Sequence, residues 1–238
     1  ENIEKIQKLI HRFQQQMTPD SIKIFKKVNA VLNSIDRLEV RGRDSAGISL
    51  MFVLEDAEFG RFENALEKAG LSDEFAQRSD KEVLKNRGIH VRQTTDIDDT
   101  TLVAITVTYK VAAEIGSLGD NVRYLRDQIA ADEVLHILTT FQHTYHTVLS
   151  HTRWASMGAI TEANCHPMDN NAMGPEAVRK GWIHACLNGD IDNFLELKAT
   201  YERSGCRIHE DITTDTKIIP LQIEKYILDG HNIDEAFR

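Results

Sequence analysis

The sequence predicts an α+β chain, on three observations. Runs of β-branched and apolar residues at 48–54, 101–110 and 145–149 have strand composition. Elsewhere apolar residues return at helical spacing, most regularly at Ile24, Val28, Val31, Leu32, Ile35 and Leu38, which form one face that would pack on a sheet. A hydrophobic fraction of 41% over 238 residues suffices for a core and fits one domain or part of a larger one.

Taken in order, Ile3, Ile6, Leu9, Ile10 and Phe13 predict a first helix over 3–17, which Thr18-Pro19-Asp20-Ser21 breaks and recaps. The second helix, 21–38, delivers the chain to Arg41, and 48–54 reads as a buried strand. Residues 55–86 are charged and amphipathic, with short helices broken at Gly60 and Gly70. The stretch 55–100 reads as an insertion rather than a site. The strand 101–110 follows, then a helix from about Gly119 that turns Val122, Leu125, Ile129, Val134 and Leu135 inward. Ala163-Asn164-Cys165-His166-Pro167 is turn-forming and 169–174 a polar loop. A strand over 182–187 ends at Asn188-Gly189, Asp192 or Asn193 caps a helix over 194–204, 208–212 is a short strand, and 217–228 is a helix that tolerates Pro220 in its first turn.

A net charge of -9 and a pI near 5.6, with no Lys/Arg cluster, argue against nucleic acid as a partner and favour small molecules. No apolar run reaches membrane-spanning length and the first residues carry neither a basic nor an apolar leader segment, so no membrane partner and a cytoplasmic location are expected. Three cysteines, Cys165, Cys186 and Cys206, lack the paired short spacings of zinc or redox motifs; reduced thiols are expected. His136, His143, His146 and His151 have no nearby Asp, Glu or Cys to complete a metal shell, and neither a metal nor another cofactor is expected.

Four motifs carry candidate chemistry. His151-Thr152-Arg153-Trp154-Ala155-Ser156-Met157-Gly158 follows a strand directly, so a strand ends in a loop bearing a cation, a large aromatic and a bendable exit. A guanidinium there is a fork suited to a carboxylate, and Trp154 can close over what is gripped. The plainer reading is a surface Arg beside a core Trp. Arg41-Gly42-Arg43-Asp44-Ser45-Ala46-Gly47 lies upstream. Asn188-Gly189 reads most simply as a tight turn, and Thr214-Asp215-Thr216 as a helix N-cap. Cys186, two residues before Asn188 on a strand, shares its face, so its thiol either faces a pocket or is core.

In this order the four motifs, from about residue 21 to residue 238, resemble the class II (N-terminal nucleophile) glutamine amidotransferases. Arg-Gly-x-Asp-Ser-Ala-Gly is shared with the purine-pathway members, whereas His-Thr-Arg-Trp-Ala is similar to the glutaminase domain of the hexosamine-forming branch, glutamine:fructose-6-phosphate amidotransferase (isomerizing). The resemblance implies the four-layer αββα sandwich of N-terminal nucleophile hydrolases. It implies L-glutamine as ligand, with Arg153 on its carboxylate, Asp215 on its ammonium, Trp154, Ser156 and His166 around it, and Asn188 and Gly189 as the oxyanion hole. Arg41, Asp44 and Ser45 would support the site. It implies, further, ammonia transfer to a sugar phosphate held in separate downstream sugar-isomerase (SIS) domains, and a homo-oligomeric full protein.

The departures are specific. The family's nucleophile is an N-terminal Cys whose α-amine is the general base, on a short strand before the 21–38 helix. Here the segment 3–17 takes that place and the chain begins at Glu1, so the nucleophile is expected upstream or lost. Met157 and Leu187 stand where His is usual, and Ser156 where Thr is. The alternative function is a pseudo-glutaminase that binds glutamine without cleaving it.

Overall fold

The computed structural model describes residues 2–79, 81–96, 98–112, 118–154, 158–174 and 181–237. Helix α1 (Asn2–Ile10) passes into a 3-10 turn over His11–Gln16 and meets α2 (Pro19–Leu38). The predicted recapping is present: the Thr18 hydroxyl accepts from the Ser21 N–H at 3.1 Å, and Pro19 opens the helix where its missing N–H costs nothing. β1 (Ser45–Glu55), α3 (Asp56–Ala69), α4 (Ser72–Ser79), β2 (Gly88–Thr95), β3 (Thr101–Ala112), α5 (Asp120–Ala131), α6 (Glu133–Leu138) and β4 (Tyr145–Arg153) follow. The remainder holds β5 (Met168–Asp169), β6 (His184–Ala185), α7 (Phe194–Arg203), α8 (Ile218–Leu228) and α9 (Ile233–Ala236).

Strands β2-β3-β1-β4 form one antiparallel sheet in that order, and β5 and β6 pair separately. Alternation decides what each face of the sheet meets. Ile48, Leu50, Phe52 and Leu54 of β1, with Val103, Ile105, Val107 and Tyr109 of β3, are buried in one apolar cluster with residues from α1, α2, α3, α5 and α6. The intervening positions Ser45, Ser49, Thr106, Thr108 and Lys110 are also buried, but polar. That polar face meets the segment around β5, since a Cβ on Gly47 would fall 2.1 Å from the His166 carbonyl oxygen. A second apolar cluster, with Met168, Phe194, Tyr201, Ile218 and Leu221, lies in the C-terminal part.

Several expectations are corrected. Gly60 does not break the chain: α3 runs through it, and the left-handed stop comes at Gly70 (φ 72°). Within the 55–100 stretch lies a strand that the sequence did not suggest, β2, which pairs along β3 from Gly88↔Thr108 to Thr95↔Thr101. Asp132, buried, splits the expected long helix by accepting from the Leu135 N–H at 3.1 Å and starting α6. The strand over 182–187 is only two residues, His184–Ala185. Residues 208–212 form no strand, and the neighbouring pairing is a single bridge, Met173↔Arg207. The polar segment 169–174 starts in the interior, with Asp169 and Asn170 buried, and ends exposed at Met173 and Gly174.

Candidate functional site

The two arginine-bearing motifs are neighbours in the sheet. β1 pairs with β4 so that Ser45 lies opposite Arg153, Ala46 opposite Thr152 and Gly47 opposite His151, and the Asp44 N–H donates to the Arg153 carbonyl at 3.2 Å. Their glycines are demanded by close approach. A Cβ on Gly42 would stand 2.7 Å from the Thr152 carbonyl oxygen, and one on Gly47 would collide with His166. The first motif therefore clasps the strand end that carries Arg153.

At that end Arg153, Trp154, His166, Leu187, Gly189, Thr214, Asp215 and Thr216 line a small cleft. Arg153 is 4% exposed; burial lowers its pKa, opposed by Cys165, Asp215 and Asp44. Asp215, 3% exposed, is the first residue of a 3-10 turn whose N-cap position is Thr214. Its Oδ2 instead accepts from the Ile191 N–H at 2.8 Å, so the N-cap reading of this residue fails. Trp154, also lining the cleft, is 68% exposed.

His166 forms one wall. Its ring lies 4.8 Å from that of His151, and Nε2 is 3.5 Å from the Thr214 hydroxyl. Burial, with His151 and Arg153 nearby, pushes it down to about 3, so it is a neutral imidazole at pH 7. Asn188 and Gly189 are both exposed; Gly189 lines the cleft and Asn188 does not. Asp44 and Ser45 stand behind Arg153 at the start of β1, Ser45 buried. Ser156 and Met157 lie outside the described residues, as does the Arg41 side chain.

Sequence reasoning missed two buried groups in the chain segments that line this cleft. Lys217 Nζ donates to the Asp169 carboxylate at 2.5 Å and to its carbonyl at 2.8 Å, all buried. Burial would raise the Asp169 pKa, but Lys217 outweighs it and holds the carboxyl well below its usual range. The second group is Asn164, buried beside the Thr213–Thr214 backbone. Two of the thiols, Cys165 and Cys186, are protonated at pH 7. Burial, with Cys165 nearby, raises Cys186 to about 12, and burial also raises Cys165.

His136 and His146 pack on aromatic rings. The His136 ring stacks on Phe25 at 4.6 Å, and that of His146 lies 4.7 Å from Phe52. A larger hollow of about 790 Å³ lies between the start of α2 and the start of β4. Its cations are engaged: Lys23 with Asp20 at 2.8 Å, and Lys27 with His146 Nδ1 at 3.0 Å. Among the described residues no helix is long and apolar enough to cross a membrane.

No family model matches the chain. Curated proteins that match include the glutamine–fructose-6-phosphate aminotransferase (isomerizing) of Bradyrhizobium diazoefficiens, 36% identical over 91 residues, 38% of this chain and 13% of that protein. The enzyme of the same name from Methanothermobacter thermautotrophicus is 38% identical over 88 residues, 37% of this chain and 13% of that protein. That of Sulfurisphaera tokodaii is 32% identical over 126 residues, 53% and 19%. A solved dimeric ferredoxin-like protein from an uncultured marine organism is 20% identical over 46% of this chain and 94% of its own, at a TM-score of 0.24, too low to define a shared fold. The chain is thus similar, over about two-fifths to one-half of its length, to aminotransferases of that name, and the match spans less than a fifth of theirs.

Proposed function

We propose that this chain is the glutamine receptor of a glutamine-dependent aminotransferase, a glutaminase-type segment with the αββα arrangement of N-terminal nucleophile hydrolases. The carrying observation is that Arg153 and Asp215, a cation and an anion from distant motifs, line one cleft. A cation and an anion lining one small cleft suit an α-amino acid, with carboxylate on Arg153 and ammonium on Asp215. The Gly189 N–H would donate to the oxygen that turns negative when the side-chain amide is attacked, with Asn188, exposed and outside the lining, as the second donor that the resemblance implies. Trp154 would cover the bound ligand, and neutral His166 offers a ring nitrogen without competing for the carboxylate. The helical layer, the main sheet, the β5–β6 pair and the α7–α8 layer support the four-layer reading. In the whole protein, ammonia released here would pass to a sugar phosphate in downstream SIS domains of a homo-oligomer.

Amide cleavage also needs a nucleophile, which we assign to an N-terminal Cys outside these residues. One observation favours a second reading, a binding or regulatory domain without hydrolysis: both thiols near the cleft, Cys165 and Cys186, are held protonated by burial. Glutaminase assay of the full-length protein separates the two. The receptor itself is tested by calorimetry. Arg153→Ala is expected to weaken glutamine binding by about 2–4 kcal/mol, the scale of removing one partner from a desolvated charge pair, and unchanged affinity removes Arg153 from the site.

A further inference from the structure

The two charged poles of the cleft are joined by one buried amide. Asn164, 0% exposed, accepts through Oδ1 from the backbone N–H groups of Thr213 at 2.7 Å and Thr214 at 3.0 Å. Through Nδ2 it donates to the hydroxyls of Thr213 and Thr161, both at 3.1 Å. The Thr213 hydroxyl also accepts from the Ala159 N–H at 3.3 Å, and the Ala159 carbonyl accepts from Arg153 Nη1 at 3.4 Å. Gly158, at φ 85°, seals the junction: a Cβ there would stand 3.0 Å from both the Thr213 hydroxyl oxygen and the Thr214 nitrogen. A continuous path of hydrogen bonds therefore runs from Arg153 to the residue preceding Asp215, with Asn164 at its centre. All four bonds of the amide are used, so no other side chain of similar size reproduces them. Asn164 itself does not line the cleft.

We propose that Asn164 is a positioning residue that holds the 213–215 turn against the Arg153 strand end, fixing where the Asp215 carboxylate meets a ligand's ammonium. This rests on the amino-acid receptor reading above. A buried amide that satisfies two backbone donors cannot be lost without leaving them unpaired, and the turn must then shift. The effect falls on the ammonium pole first, because Arg153 is independently held by the β1–β4 ladder.

The test uses the full-length protein and two ligands, L-glutamine and its α-deamino analogue 4-carbamoylbutanoate, which keeps the carboxylate and amide but lacks the ammonium. Asn164→Ala is expected to weaken L-glutamine by at least about tenfold while leaving the analogue within about twofold. Asn164→Asp, which keeps the acceptor for Thr213 and Thr214, restores most of the affinity. Adding Asn164→Ala to Asp215→Ala costs little beyond Asp215→Ala alone, the signature of coupled residues. Thr213→Val, at an exposed position, removes the hydroxyl that links Asn164 to the Ala159 N–H but keeps both backbone bonds to Oδ1, and is expected to give a smaller loss of the same selectivity if Asn164→Ala does not fold. Equal losses for both ligands, or an additive double variant, overturn the proposal. Amide hydrogen exchange at Thr213 and Thr214, faster in Asn164→Ala than in Asn164→Asp, reads the clasp without any ligand. Wild-type protein that binds no L-glutamine sinks the receptor reading, whereas unchanged exchange at these two amides sinks the role of Asn164.

Discussion

At the scale of single residues, the buried pair Lys217–Asp169 shows how buried charge is managed. Neither side chain reaches water, so each depends on the other; the Coulomb gain roughly offsets desolvation, but breaking the pair leaves a naked charge. Lys217→Met is therefore expected to cost about 3–5 kcal/mol in denaturant unfolding, whereas Asp169→Leu combined with Lys217→Met should lie much closer to wild type. A double variant as unstable as the single would show that the carboxylate is needed for something other than Lys217. Arg153 was legible as a candidate because a cation, an aromatic and a glycine follow a strand-like run. Asp215 was half legible, since Thr-Asp-Thr before a helix reads equally well as a cap; only its bond to the Ile191 N–H decides against that.

At the scale of elements, two glycines of similar sequence appearance have opposite meanings. Gly47 lies in β1 with the His166 carbonyl packed on it, while a Cβ on Gly60 in α3 would touch nothing within 4 Å. Gly47→Ala should cost about 1–3 kcal/mol, because the contact is backbone and cannot swing away. Gly60→Ala should add roughly 0.5–1 kcal/mol through helix propensity alone. Both are read from chemical denaturation midpoints, and a neutral Gly47→Ala would mean the β5 segment does not pack on β1. The strands β1, β3 and β4 were legible because β-branched composition reports a pleated, buried surface. β2 was not: Gly88-Ile89-His90-Val91-Arg92 has a short apolar signal, and its strand state comes from pairing with β3.

For the whole molecule, acid is the expected weakness. Burial above all pushes His136 and His184 down to about 4 and His166 to about 3, from an ordinary value of 6.5. The unfolded chain binds protons that the folded chain refuses, so stability is fully present above pH 6.5 and is lost progressively as pH falls toward 4. Asp169, held low by Lys217, extends the loss below the carboxylate range. A melting temperature measured at pH 7.5, 6 and 5 should fall steadily, and His136→Phe should flatten the profile. A constant or rising value on acidification would contradict the buried neutral state of these rings.

Local pattern was enough to identify the helices that cover the sheet, the three main strands and the four motifs with their candidate chemistry, since periodicity and turn chemistry act within a few residues. Which motifs meet, and which polar residues are buried beside them, came only from the folded chain. Ser45 against Arg153 is a strand register; Asp169 with Lys217 and Asn164 with Thr213 are pairings 48 and 49 positions apart. A buried polar face has the same sequence signature as a solvated one, because alternation states that a side chain points away from the first core and not what waits for it there.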